Sequence, residues 1–374
     1  MAETSVWHVG IDLHKDWAVL AALRDASNDP EHEQTLANEW PKLKRYFERL
    51  LKQGPVRACY EAGGCGYGLA RRLRELGVDC DVIAPSHTPV QAGDRRKTDQ
   101  RDARKLARYL RSGDLVAVRV PAPAEEEVRD LVRSRLVLVQ EIQRSRQYVL
   151  KLVQRLGMRL EGGRNWSRAH RQWLASLELS AEHRRVLDRY LSLLAGKELL
   201  LREIEQDVER ASRKAPYAEP VARLRCLRGI DTTSAMVLVT EAVDARRFAS
   251  ARDFMGWVGL TVSEKSSGGP GRQSMGAITK TGNSRCRFVL GEAAWNYARP
   301  AKGGAALLRR QEGRPAEEVA YARRAQRRLH RRFEALAARK HRTVAATAVA
   351  RELAGFVWAL MRGEKELLLP RVGA

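Results

Sequence analysis

Cysteine is scarce and poorly spaced for chemistry. The five cysteines, Cys59, Cys65, Cys80, Cys226 and Cys286, are odd in number and form no CxxC pair. That argues against a zinc site and a disulfide framework, and for a reducing cytoplasm. Long apolar runs are also missing: none reaches the roughly 18 residues that cross a bilayer. The apolar stretch 6–22 is broken by Asp12, His14, Lys15 and Asp16, so it does not read as a signal peptide. Neither a P-loop nor GxGxxG occurs, and nothing implies ATP. Acidic residues are in deficit. Against 68 Lys and Arg stand 45 Asp and Glu, a net charge of +23, with a pI near 10.4. Such an excess favours a nucleic acid partner, because released counterions drive basic proteins onto polyanions. A membrane surface is the competing polyanion.

The 374 residues, 44% hydrophobic, are enough for two or three domains with real cores. The chain is organised around Lys97-Thr98-Asp99-Gln100-Arg101-Asp102. Two carboxylates three residues apart, ahead of a helical pattern at 103–110, share one helix face. Hard divalent cations suit such a pair, and Arg95, Arg96, Lys97, Arg101, Arg104 and Lys105 surround it. The alternative is structural: Asp99 as helix cap and Asp102 as a dipole partner.

Upstream, alternation predicts strands at 6–12, 17–23 and 34–38, an amphipathic helix at 41–51, and a strand at 56–60 ending at Glu61. A glycine turn leads into a helix at 69–76, and a strand follows at 78–84. Three strands, helix, strand, helix, strand, helix is the order of a ribonuclease-H-like α/β sheet. In that order Asp12, Glu61, Asp99 and Asp102 converge at one end of the sheet, where two divalent ions can clamp a phosphodiester. The structural alternatives are an Asp12–Lys15 turn and a salt bridge from Glu61 to a nearby arginine.

Pro121-Ala122-Pro123 reads as a linker. Seven-residue rhythms follow, through Val128, Ile142, Val149 and Leu156 and through Val186, Leu193 and Leu200, with Arg135 and Ser145 in core-like positions. They predict two long helices in an antiparallel coiled-coil hairpin or oligomerisation arm. Trp166, His170 and Trp173 suit packing at its tip better than base stacking. Beyond Pro216, Arg228-Gly229-Ile230-Asp231 leads into a helix at 232–242, resembling half of a helix-hairpin-helix. A loop with Ser266-Ser267-Gly268-Gly269 is bordered by Lys265, Arg272, Lys280, Arg285 and Arg287. It reads either as a flexible connector or as a mobile loop presenting a serine nucleophile eased by cations. A helix at 285–297 and two more near 315–340 and 343–362 complete an all-α remainder. The first of those two carries Arg323, Arg324, Arg327, Arg328, Arg331 and Arg332, a candidate face for nucleic acid backbone.

In four blocks the chain resembles the DEDD transposases of the IS110 insertion-sequence group, related to the Piv invertases. The blocks are Gly10-Ile11-Asp12 with Lys15; Glu61-Ala62-Gly63-Gly64; Lys97 to Ala103; and Gly259-Leu260 with Ser267-Gly268-Gly269 and Ile278 to Asn283. The family's Pro-Gly-Ile-Gly turn is replaced by Arg228-Gly229-Ile230-Asp231. The resemblance implies a RuvC-like domain at 1–120, a linker and coiled-coil arm at 121–215, and a C-terminal transposase domain at 216–374. It further implies a recombinase guided by a structured bridge RNA that pairs with donor and target DNA. Mg²⁺ would be held by Asp12, Glu61, Asp99 and Asp102, and Ser267 would form a covalent link to DNA. A composite active site implies homodimers and tetramers, and the localisation implied is cytoplasmic, on the bacterial nucleoid. Two other readings compete: a RuvC-like metal-dependent nuclease or junction resolvase with no covalent intermediate, and a non-catalytic nucleic acid binder.

Overall fold

The computed structural model describes residues 5–25, 27, 29–85, 88, 98–266 and 273–368. The chain divides into two compact units, Met1–Ala122 and Pro123–Ala374. The first is mixed α/β and the second mostly helical.

In the first unit, β1 (Trp7–Leu13), β2 (Trp17–Arg24), β3 (His32–Ala37), α1 (Trp40–Leu51), β4 (Val56–Glu61), α2 (Gly68–Glu75), β5 (Asp79–Ile83), α3 (Asp99–Ser112) and β6 (Ala117–Val118) follow in order. The strands form one sheet, β3-β2-β1-β4-β5-β6. The first three make an antiparallel meander, β4 and β5 run parallel to β1, and β6 closes the edge antiparallel. Parallel neighbours need crossovers, and α1 and α2 supply them.

Helices cover both faces of the sheet, so β1 is buried on both sides. Trp7, Val9 and Ile11 pack with Leu43, Phe47 and Leu50 of α1 and Ala70 and Leu73 of α2. The alternate residues face α3. There Cys59 and Ile83 meet Leu106 and Leu110, while Val19 and Ala21 meet Ala103.

The second unit opens with α4 (Pro123–Arg155), a short α5 (Arg168–Ser176) and α6 (Ala181–Ser212). At about 1.5 Å per residue, α4 and α6 are each close to 50 Å long. They run antiparallel, with Arg135 on Glu205 at 2.6 Å and Arg146 on Glu198 at 2.9 Å. The two polar residues in the predicted core rows are accommodated: Arg135 by that ion pair, and buried Ser145 by Lys197 at 3.1 Å. Next come α7 (Ala218–Leu224), α8 (Thr232–Ala242), α9 (Ala251–Trp257), the hairpin β7 (Val262–Ser266) and β8 (Gln273–Ile278), and α10 (Ser284–Ala294). The chain continues through α11 (Ala305–Gln311), α12 (Ala316–Ala337), α13 (Arg342–Arg362) and α14 (Lys365–Leu368).

Two expectations need correction. The segment read as an irregular Gly/Ser loop is built on a β-hairpin, whose backbone ladder forms without a strong side-chain pattern. And α13 is long and apolar enough, by length and composition, to cross a membrane, contrary to the expected lack of such a run. Its alanine-rich sequence raises the hydropathy, and Val349, Leu353, Val357 and Leu360 are fully buried in the core of this unit.

Candidate metal centre and nucleic acid face

Asp12 sits at the carboxyl end of β1, beyond Ile11, which pairs with Tyr60 of β4. Glu61 follows Tyr60, so both acids leave the sheet at the same end. Strand alternation puts both on the α3 face, because Ile11 and Tyr60 point to the opposite core.

Helix α3 brings the other pair. Its N-cap is Thr98, whose hydroxyl accepts from the Arg101 backbone N–H. The predicted alternative, Asp99 as cap, is therefore not realised; Asp99 and Asp102 both lie inside the first turn. The helix can sit this low on the sheet because Gly10 has no side chain. A Cβ there would stand 2.1 Å from the Ala103 carbonyl oxygen and 2.4 Å from the Ala107 nitrogen.

The outcome is a cluster of Asp12, His14 and Asp99, whose donor atoms all lie within 4.8 Å of one another. His14 Nε2 is 3.2 Å from Asp12 Oδ2 and 3.4 Å from Asp99 Oδ2. Trp17 donates its indole N–H to Asp99 at 3.4 Å. Burial pushes the Asp12 carboxyl up; His14 pulls it down, and the like charges of Asp99 and Asp102 push it up again, leaving it raised. A carboxylate destabilised by burial and by like charges is one that a cation would relieve. Glu61, at the same end of the sheet, accepts from the Thr88 hydroxyl at 2.7 Å. His14, Trp17 and Thr88 were not singled out from sequence. His14 stands two residues beyond Asp12, a spacing that returns it to the same face if the strand extends.

The second unit holds the rest of the predicted site. Ser267, Lys97 and Arg272 lie outside the described residues, and Lys265 falls within β7. The base of the serine hairpin is firmly built. Gly259 and Gly282 have φ of 70° and 108°, and a Cβ on either would come within 2.3 Å of a backbone oxygen, Thr281 O or Trp257 O. Lys280, also left-handed at φ 56°, is exposed. Asn283 caps α10 by accepting from the Cys286 N–H and donates to Glu241 at 2.8 Å. Glu241 is buried and takes a bidentate pair from Arg133 at 2.7 and 2.9 Å, with Arg285 3.9 Å away. The Gly229 turn packs closely against the end of α10. Its Cα faces Ala293 and Asn296, and Asp231 caps α8.

The arginines of α12 separate into two groups. Arg323, Arg327 and Arg331 are exposed and spaced four apart, which makes one stripe. Arg324 donates to the Leu368 carbonyl, and Arg328 and Arg332 pair with Glu352 at 3.0 and 3.1 Å. All five cysteines are free thiols; four are buried and Cys65 is exposed. Burial raises Cys80 to about 12 and Cys226 to about 11, which holds both as thiols at neutral pH.

Two protein-family descriptions match the sequence. Residues 9–158 match a DEDD family described as transposase, and residues 221–309 match one described as "Transposase IS116/IS110/IS902 family". A putative transposase, y4qE, of Sinorhizobium fredii is 42% identical over 96% of this chain and 89% of its own length. The transposase for insertion sequence element IS1533 of Leptospira borgpetersenii is 33% identical over 88% of this chain and 96% of its own. That of IS1111A from Coxiella burnetii is 23% identical over 94% and 89%.

Proposed function

This chain belongs to the IS110 family of insertion-sequence transposases, and from that premise we propose that it is a DNA recombinase of the Mg²⁺ and serine type, guided by a structured bridge RNA. The observation that carries the reading is the meeting of Asp12, from the first strand, with Asp99, from the helix that closes the sheet, with Asp102 near enough to act on Asp12. The sheet order supports a RuvC-like assignment for 1–120. The long helix pair supports a coiled-coil arm at 121–215, with a transposase domain at 216–374.

Asp12, Glu61, Asp99 and Asp102 would hold Mg²⁺: the carboxylates of Asp12 and Asp99 already meet, while Glu61 and Asp102 lie outside that cluster of donor atoms and would close on a bound ion. When bound, the ion supplies charge neutralisation at the phosphate and favours ionised oxygen nucleophiles. The chain's own part lies in the serine hairpin. The Ser267 Oγ bonds to phosphorus, a deoxyribose oxygen leaves, and the proton given up by the serine ends on that leaving hydroxyl. A phosphoserine ester keeps the phosphodiester energy for rejoining, consistent with a chain that has no ATP motif. The serine lies far along the chain from the acids, and the family resemblance suggests a composite site completed in a homodimer or tetramer. The exposed arginine stripe of α12 suits RNA or DNA backbone, and the net positive charge suits residence on the nucleoid.

The test is to mix the protein with donor DNA, guide RNA and Mg²⁺ and run the products on a denaturing gel. Protein covalently attached to DNA supports the recombinase. Cleavage without attachment selects the resolvase reading, and binding without cleavage selects the non-catalytic one.

A further inference from the structure

The tip of the helical hairpin contains a cleft that the carboxylate chemistry does not use. Helix α4 ends at Arg155, and the chain turns through Gly162 and Gly163, both left-handed at φ 75° and 86°, before α5. The turn borders an open cleft of about 770 Å³ lined by Lys151, Gln154, Arg159, Asn165, His170 and Trp173, among others. That is ample for a nucleotide, since ligand pockets run from roughly 300 to 1,000 Å³.

Packing explains part of this cluster. Leu174, Val149, Leu152, Val153 and Leu187 form a small core beneath it. His170 lies between Trp166 at 5.4 Å and Trp173 at 5.5 Å. Packing does not explain the polar atoms. His170 is 1% exposed, and its Nδ1 is buried with no hydrogen-bond partner among the described residues. An unpaired buried polar atom is costly, and a phenylalanine would fill the same space without that cost. Nor does packing need Lys151, Gln154, Arg159 and Asn165 around one cavity. The two tryptophans also differ. Trp166 already has guanidinium groups near its ring, Arg146 at 5.6 Å and Arg171 at 5.8 Å, and it is held in a left-handed conformation at φ 67°, rare for a bulky side chain. Trp173 is only half-buried and lines the cavity.

We propose that this cleft receives an unpaired nucleobase of a bound strand, stacked on Trp173, with the flanking phosphates on Lys151 and Arg159 and the base edge paired to His170, whose ring lines the cleft and turns its unpartnered nitrogen outward on binding. An aromatic face, one buried polar group and peripheral cations are the ingredients of single-strand recognition. Burial and neighbouring Arg171 hold His170 below its usual range, hence neutral, which leaves a ring nitrogen free to exchange a hydrogen bond with a neutral base edge. A fully paired duplex has no base to offer. The cleft is lined by none of the four acids, so binding tests it independently of strand cleavage.

The full-length protein is titrated into a short single-stranded RNA carrying one 2-aminopurine, into its DNA counterpart and into the fully paired duplex. Stacking quenches 2-aminopurine in the single strands but not in the duplex, and the RNA and DNA arms reveal whether the sugar matters. His170→Phe weakens single-strand binding at least about fivefold without lowering the melting temperature, because it removes the unpaired atom. Lys151→Ala, on the exposed rim, weakens single-strand binding selectively and remains informative if His170→Phe does not fold. Equal quenching in the duplex, or unchanged single-strand affinity in both variants, overturns the proposal.

Discussion

Gly10 and Ala103 touch so closely that no side chain fits between them: a Cβ on Gly10 would stand 2.1 Å from the Ala103 carbonyl oxygen. That contact fixes the depth at which α3 rests on β1. Asp12 lies two residues after Gly10, and Asp99 and Asp102 lie in the turn before Ala103, so one backbone approach places all three acids.

Gly10→Ala should therefore lower the stability of the first unit by about 3 kcal/mol, the upper range for overpacking against backbone. It should also abolish cleavage, because lifting α3 separates Asp99 from Asp12. Urea unfolding and a strand-cleavage assay read the two effects. A stable, fully active Gly10→Ala protein would show that the approach does not position the acids.

The acids themselves separate folding from chemistry. Asp12 is penalised by burial and by Asp99 and Asp102, so Asp12→Asn should leave metal-free stability within about 1 kcal/mol of the parent. Mg²⁺ should raise the melting temperature of the parent but not of this variant, since only the parent binds the ion in its folded state. Asp102→Asn should lose cleavage and keep most nucleic acid binding. An unchanged Mg²⁺ response in Asp12→Asn would place the ion elsewhere.

On α12, Arg323→Ala, Arg327→Ala and Arg331→Ala combined should reduce the slope of log affinity against log salt by roughly 2 to 3, one phosphate contact per arginine. Arg324→Ala and Arg328→Ala should leave the slope nearly intact, since those guanidiniums already serve Leu368 and Glu352. Equal slopes for both sets would count against the stripe.

The first unit was largely legible in sequence. Strands buried on both faces or alternating strictly leave a clear pattern, and the predicted strands at 6–12, 17–23 and 56–60 differ from β1, β2 and β4 by one residue at most ends. The two-residue β6 has no pattern to read, and the β7–β8 hairpin was hidden by its Gly/Ser composition. The approach of Asp99 to Asp12 was legible because their spacing from strand and helix ends is local. His14, Trp17 and Thr88 were not, because their roles depend on which ends the fold brings together. The division of the α12 arginines depends on Glu352 and Leu368, which no local pattern indicates.

Glu241 supplies a pH test. Burial alone would raise its carboxyl, but Arg133, Asn283 and Arg285 outweigh that and leave it lowered. A carboxyl lowered by folding contributes stability above its unfolded pKa, about 4.3, and that contribution is lost as pH falls through the lower, folded value. The second unit should therefore lose stability steeply below about pH 4.5, and Glu241→Gln should flatten that loss. At pH 7 the variant should be destabilised by roughly 2–3 kcal/mol, less than a fully buried broken pair costs because Arg133 is partly exposed. Identical acid profiles for parent and variant would remove Glu241 from the account.

The serine prediction decides between recombinase and nuclease. The hairpin carrying Ser267 is anchored by backbone contacts at its base, Lys280 N to Gly259 O at 3.1 Å and Asn283 N to Trp257 O at 2.8 Å. Ser267 is not among the residues that make those contacts, so Ser267→Ala should fold with an unchanged melting temperature. It should also bind RNA and DNA as the parent does. A serine hydroxyl is a weak nucleophile at neutral pH and has no substitute in alanine, so the covalent DNA adduct and recombination should both disappear. Ser266→Ala should be much milder, because Ser266 ends β7 whereas Ser267 directly precedes Gly268-Gly269. Ser267→Cys offers a second check, since a thiolate can attack phosphorus through sulfur and leave a more labile link. If Ser267→Ala recombines DNA at the parental rate, the serine is only part of a connector and the acids act with water.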